Sequence, residues 1–514
     1  MTVLILICCI CLSVLGACAP EPQTSRDTYV ISPAAQEVPT LLPDHASLPA
    51  LTPQPLSTLI PTSQPGSTVQ YGIDAVLDWA TYTLQVEQRV HYYNDTGEVQ
   101  PALIFNVDVN QEPGDLTFKR ITNASHLVTN YTLEDTRLTV PFTEPLAADA
   151  EVELILEYSL IIPQIEAGYR DGHLGYWGRS ARQVNLGMWF PLVAAFEPSK
   201  GWITPASHWL GEHFVLRSAD FVVNLTLHNT TRPVRVAGPG ESSRPNKECW
   251  RFELAGGREL ALSLSENFRV LSTTTSSGVK VELYYLADDP AITLDAPRHT
   301  LQTAADALAL YEELYGAYPL KRLAVVEGDF PDGMEFSGLV FVSQDWFKAW
   351  KGIPNDWLTL ITAHEVAHQW WYALVSSDQG HYPYIDETLA IYSEVFYIEK
   401  YYPDYLTWWW DFRVNTYAPQ GYVDTPIYDF YSPRGYIDAV YLRGALMMEH
   451  LRTDLGDEAF LDWLQAYFDQ MQGRIAYPID LWSLLSTDQY AATSQTRILY
   501  LKNPDLLPQS NSIP

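Results

Sequence analysis

The sequence predicts a multidomain protein in which an N-terminal antiparallel β domain, of sandwich or saddle type, precedes a mainly helical α+β domain. Three observations predict it. From about Val69 to Leu286, hydrophobic and polar residues alternate in repeated short runs. After Pro290 the hydrophobic spacing changes to three and four residues and stays mostly helical to about Leu485. A length of 514 residues also exceeds what one core ordinarily organises and calls for two or three domains. The expected division is a signal at 1–18, a tether at 19–68, the β domain at 69–286 and the helical domain at 287–514.

Residues Met1 to Ala17 are almost wholly apolar and lead into Leu15-Gly16-Ala17-Cys18. An apolar run ending in small residues reads as a secretory signal. The ending resembles a bacterial lipobox, which would place a diacylglyceryl group on Cys18 and leave the body extracytoplasmic, anchored to the bacterial cell membrane. No Lys or Arg precedes the run, so a start further upstream or an uncleaved anchor are alternatives, and both still export the body. Pro20 to Pro65 carries ten prolines among Ser, Thr, Gln and Ala, which predicts an extended tether. Four of the five cysteines fall within the first 18 residues, so no disulfide framework is expected in the body. Cys249, in an alternating run with Trp250, Phe252 and Leu254, is expected to be a buried, inert thiol.

The alternation is clearest at Leu84, Val86, Val90 and Tyr92, at Val152 to Leu160, and at Phe221 to Leu227. It recurs at Val279, Val281, Leu283 and Tyr285, which close the β series. Ala291 to Leu314 then reads as a helix, followed by short strands at Leu323–Glu327 and Leu339–Val342. Acidic residues outnumber basic ones by 62 to 31, giving a formal charge of −31. That field repels phosphate backbones and excludes nucleic acid as a partner.

Asn355 to Val375 has an N-cap candidate at Asn355 or Asp356 and no internal Gly or Pro, so it reads as one helix. It carries His364-Glu365-Val366-Ala367-His368. Histidines at i and i+4 share a helix face and can bind one Zn²⁺, while Glu365 stands beside that face as a proton acceptor. After eighteen intervening residues comes Glu387, preceded by Asp386, which can cap a second helix and face Glu387 back toward the first. Two histidines and one glutamate leave a fourth position open, the arrangement of a catalytic site holding one zinc per chain.

With these residues the sequence resembles the aminopeptidase N family of gluzincin zinc metallopeptidases, whose signature is His-Glu-x-x-His, eighteen residues, then Glu. The resemblance implies a thermolysin-like catalytic domain. It continues at Gly333-Met334-Glu335-Phe336, matching the family's Gly-Ala-Met-Glu-Asn segment with Gly333 for Ala and Phe336 for Asn. That match implies substrate binding by Gly333, Met334 and Glu335, the last holding a peptide's free α-amine. Val440-Tyr441-Leu442-Arg443-Gly444-Ala445 matches the segment carrying the family's catalytic tyrosine, with Arg for Lys. Ala390 to Glu394 matches the Ala-x-x-x-Glu that follows the zinc glutamate. Glu394 lies seven residues beyond Glu387, on the same helix face, and is expected to orient a zinc histidine.

Over the β region the best local match is Leu186-Gly187-Met188-Trp189-Phe190-Pro191, then Gly211-Glu212. The family's Gln-x-Glu-x-x-x-Ala-Arg segment is not recognisable, and the pattern is that of a diverged bacterial member without the large helical C-terminal domain. The implied partner is a peptide with a free N-terminus, with Glu365 as general base and Tyr441 as oxyanion donor. Trp370 and Trp371 read as core. The alternatives are a gluzincin endopeptidase, an epoxide hydrolase like the family's bifunctional leukotriene hydrolase, and a surface binding protein whose peptidase domain is inactive.

Overall fold

The computed structural model describes residues 67–111, 114–123, 126–165, 175–331 and 333–504. The expected signal with Cys18, nearly all of the Pro-rich tether and the polar C-terminal end lie outside the described residues. Among the described residues no helix is long and apolar enough to cross a membrane.

Alternation places one face of each strand in the core. Along Thr83–Tyr93, Leu84, Val86, Val90 and Tyr92 are buried, with Gln88 between them. Gln88 is tolerated there because it donates to the Pro191 carbonyl at 2.7 Å and accepts from the Tyr158 hydroxyl at 2.9 Å. The strand lies in an eight-stranded sheet whose central members are Cys249–Gly257, Ala219–His228, Val69–Asp78, Thr83–Tyr93 and Glu151–Ile161, in that order. The sheet is antiparallel except where Val69–Asp78 runs parallel to Ala219–His228. Alternation reports which face is buried and carries no direction, so the parallel pair has no mark in the sequence. Two four-stranded sheets and a two-stranded antiparallel ribbon, Ala195–Glu197 with Gly201–Ile203, complete the β region among the described residues. Cys249 opens its strand half-buried rather than buried, because the alternation that buries Trp250, Phe252 and Leu254 turns Cys249 to the opposite face with Arg251 and Glu253.

The alternating run at Val279–Tyr285 has a different partner from the one its sequence suggests. The strand Lys280–Leu286 pairs antiparallel with Phe268–Thr274 and parallel with Arg322–Gly328, which in turn runs parallel to Leu339–Ser343. The helix Asp295–Leu314 makes the crossover between the first parallel pair. Val281 and Leu283 therefore face the helical core, together with Leu308, Ile361 and Ile391, while Tyr284 and Leu286 face the β core. This strand joins the two apolar clusters.

The helices Trp357–Ala367, Glu387–Tyr401 and Arg443–Leu455 pack in succession beneath that sheet. All but the first residue of Trp357–Ala367 and all but the last three of Glu387–Tyr401 are buried. Trp370 and Trp371 are core residues, at 0% and 1% exposure. Because Leu283 is fully buried at the seam, Leu283→Ala is expected to cost about 2–5 kcal/mol through lost burial and a residual cavity. Thermal unfolding checks this, and an unchanged Tm would show that the seam does not limit stability.

Candidate metal centre and active site

Asp356 caps the first site helix, its carboxylate accepting the Leu358 amide at 3.2 Å. The helix ends at Ala367, short of the expected Val375, with His368 as its C-cap. Beyond it the chain turns through wider loops: the amides of Ala373, Leu374 and Val375 donate to the carbonyls of His368, Gln369 and Trp370 at 2.9, 3.2 and 2.9 Å. That turn brings the Trp371 carbonyl to Nδ1 of His368 at 3.0 Å. In a continuous helix the same carbonyl would accept the Val375 amide, so the early stop is what frees it.

The structure brings His364, His368 and Glu387 together. Their Nε2 atoms are 3.1 Å apart, and Oε2 of Glu387 lies 3.2 Å from the first and 3.4 Å from the second. Each Nδ1 faces a buried carboxylate: Glu394 at 3.1 Å from His364 and Asp386 at 2.7 Å from His368. A carboxylate only accepts, so each neutral ring carries its proton on Nδ1 and presents a lone pair at Nε2. Two lone pairs and a carboxylate oxygen converging at these distances repel one another unless a cation lies between them. The spacings also match the edge of about 3.3 Å expected for a tetrahedron of zinc–ligand bonds of about 2.0–2.1 Å. The residues present therefore fit a zinc ion.

Asp386 is not the helix cap that its position before Glu387 suggests. Its side chain makes no cap hydrogen bond; one oxygen holds His368 and the other accepts Nε2 of Gln379 at 2.7 Å. Glu394 is fully buried and also receives Arg413, at 2.8 and 3.2 Å, and the Trp409 indole at 3.0 Å. Arg413 belongs to a π-helical stretch, Trp410–Val414. A second one, Ile437–Leu442, carries Tyr441 into the helix Arg443–Leu455. Tyr441 is 2% exposed, its ring nearly parallel to that of His364 with centroids 6.0 Å apart.

The segment bearing Glu335 lies against Leu339–Ser343, with Met334 and Phe341 exchanging backbone hydrogen bonds at 2.8 and 3.3 Å. The Met334 side chain is buried in the β-region core. Both departures from the family's pattern have a physical counterpart. A Cβ on Gly333 would crowd a Glu365 oxygen, so an alanine there would require the Glu365 carboxylate to shift. The Phe336 ring fills the space a side chain at Gly187 would need, 2.5 Å from its ideal Cβ position, and packs edge-on against Tyr176.

Glu335 is 3% exposed and accepts Nε2 of Gln379 at 3.4 Å. Sequence reasoning did not place Glu212 in the site, yet Glu212, Glu335 and Glu387 bring one oxygen each within 4.8 Å of one another. Burial pushes Glu335 up to about 8, with His368 opposing and Glu387 adding to the rise. Burial also raises Glu212, reinforced by the charges of Glu335 and Glu387. The local family match at Gly211-Glu212 was the available signal for Glu212. Gln379 and Arg413 had none, since nothing in their spacing ties them to the ligands, and the place of Asp386 beside Glu387 pointed only to a cap.

The helical region, joined to the β region through a mixed sheet, thus carries a buried histidine–histidine–glutamate cluster that fits a zinc ion. Residues 299–500 match the family model described as the peptidase family M1 domain. Endoplasmic reticulum aminopeptidase 2 of Homo sapiens is 29% identical over 238 residues, covering 43% of this chain and 24% of the relative. Aminopeptidase N of Lactobacillus delbrueckii subsp. lactis is 30% identical over 241 residues, covering 43% and 28%. The chain thus spans about a quarter of the length of the curated relatives it matches. In fold it is similar to a crystal structure of an M1 zinc metallopeptidase from Deinococcus radiodurans, at 17% identity and a TM-score of 0.61, covering 88% of this chain and 97% of that one.

Partners of zinc-binding histidines typically alter metal affinity by about 10–100-fold when removed. Asp386→Ala is therefore expected to weaken zinc binding by about that factor. Competition against a chromophoric chelator measures it, and wild-type affinity in the variant would contradict the orienting role.

Proposed function

We propose that this chain is a zinc-dependent aminopeptidase that removes N-terminal residues from peptides. The observation that carries the reading is the pair of buried carboxylates, Glu335 and Glu212, beside the histidine–histidine–glutamate cluster. Two buried acids at this distance are stable as anions only with a cation between them, and a peptide's terminal ammonium supplies one. A crystal structure of a mutant M1 zinc metallopeptidase from Deinococcus radiodurans bound to a Tyr-Ser-Ala substrate, similar in fold at 17% identity and a TM-score of 0.61, supports a peptide ligand for this architecture.

His364, His368 and Glu387 would hold the zinc, which as a Lewis acid stabilises charge on the scissile carbonyl and makes water more acidic. Glu365, 1% exposed, accepts the proton of the attacking water and returns it to the leaving amine. Tyr441 donates to the oxyanion, a contact that strengthens as charge develops on the carbonyl oxygen. Glu335 and Glu212 bind the substrate ammonium and fix the chain end one residue from the scissile bond. The apolar run ending at Cys18 and the Pro-rich stretch after it support an extracytoplasmic enzyme, tethered to the membrane through lipid on that cysteine.

One zinc per chain by elemental analysis, with hydrolysis of a fluorogenic aminoacyl substrate that a chelator abolishes, is the expected outcome; metal-independent hydrolysis would refute the proposal. Glu365→Gln should keep the metal and lose about 10²–10⁴-fold in turnover. Near-wild-type turnover would remove Glu365 from the base role. Glu335→Ala should impair free-amine substrates far more than N-blocked ones, and equal impairment would show that Glu335 does not read the amine.

A further inference from the structure

Arg258 and Glu259, adjacent residues beyond the strand Cys249–Gly257, are each 1% exposed and reach into the helical region. The Arg258 guanidinium bonds to backbone carbonyls: Ala373 at 2.9 Å, Leu374 at 2.6 Å, Arg474 at 3.0 Å, Leu216 at 3.3 Å and, at 3.5 Å, Gly473. Its own amide donates to Oγ of Ser337 at 3.0 Å. Glu259 accepts the Ser337 amide at 2.6 Å through one oxygen and the Tyr372 hydroxyl through the other.

Two segments of the site are gripped in this way. Tyr372, Ala373 and Leu374 form the turn whose Trp371 carbonyl and Ala373 amide close on His368. Ser337 lies two residues after Glu335. Gln369 makes a parallel link, donating to the Phe336 carbonyl at 3.1 Å and accepting the Gly338 amide at 2.8 Å. Burying a guanidinium against carbonyls alone is costly, and burial lowers its pKa to about 10. Such a group persists where it fixes backbone outside regular helix and sheet, and the post-helix turn and the segment after Glu335 are backbone of that kind.

We propose that Arg258 and Glu259 are positioning residues that set the distance between the amine-binding Glu335 and the metal-binding His368, and so place the substrate's N-terminus relative to the scissile bond. The inference rests on the aminopeptidase reading. Neither residue touches substrate. They act through Ser337 on one side and the 372–374 turn on the other, from the β region, so the β region enters the reaction as a spacer as well as a cover.

The test uses the zinc-loaded protein, an aminoacyl-coumarin substrate, and the corresponding free amino acid as competing ligand. Glu259→Ala is expected to raise KM and the amino acid's Ki together by about ten-fold, the scale of a displaced binding group, with zinc content unchanged. Glu259→Gln, which keeps an acceptor for the Ser337 amide, should restore both constants. Unchanged KM and Ki in Glu259→Ala, or a rise matched by loss of zinc, would overturn the proposal. If Glu259→Ala does not fold, Ser337→Ala decides by the same two constants, with a smaller rise expected and no rise overturning it. An inactive wild-type protein would defeat the aminopeptidase reading and this role within it, whereas an active wild type with unaltered variants would defeat the positioning role alone.

Discussion

Two histidine lone pairs, Nε2 of His364 and Nε2 of His368, point at one another across 3.1 Å, and the surrounding structure is arranged to keep them there. That geometry is repulsive without a cation and requires each ring to be held from behind. Asp386 and Glu394 do so from a single helix, one at its start and one two turns on. Glu394 is itself neutralised by Arg413, so a buried carboxylate faces a histidine without leaving an unpaired charge. The constraint therefore extends from the metal ligands to a guanidinium beyond the carboxylate.

A second consequence is a surplus of buried negative charge. Glu212, Glu335, Asp386 and Glu387 all lie within the site and are at most 6% exposed. On the proposed function, a zinc ion and a substrate ammonium group would together offset three of those four charges. Under the proposed function, chain ends whose amine is blocked would be disfavoured, because they would leave Glu335 and Glu212 buried without a counter-ion.

Much of the architecture was legible in the sequence because hydrophobic period reports burial directly. The strands at Thr83–Tyr93, Glu151–Ile161 and Ala219–His228 carry the alternation that marks them. What period cannot report is the identity of a strand's neighbours. The strand Lys280–Leu286 reads like the β region before it, yet it pairs with Arg322–Gly328 and joins two cores. Likewise, no Gly or Pro marks the end of the zinc helix at Ala367. The turn that stops it is held by Arg258 and by the ring of His368, both tertiary contacts.

For the site, the sequence by itself determined the elements whose relation is local: two histidines four apart on one helix face, and a glutamate in the first turn of the next buried helix. Glu394 belongs to the same class, because seven residues of helix return to the same face. Only the tertiary structure decided what depends on chains meeting from far apart. It turned Asp386 from a cap into the partner of His368, brought Glu212 across from the β region to Glu335, and set Arg413 behind Glu394. Hydrogen bonds and buried charges act over a few ångströms of space, whereas sequence spacing measures distance only along a helix or strand.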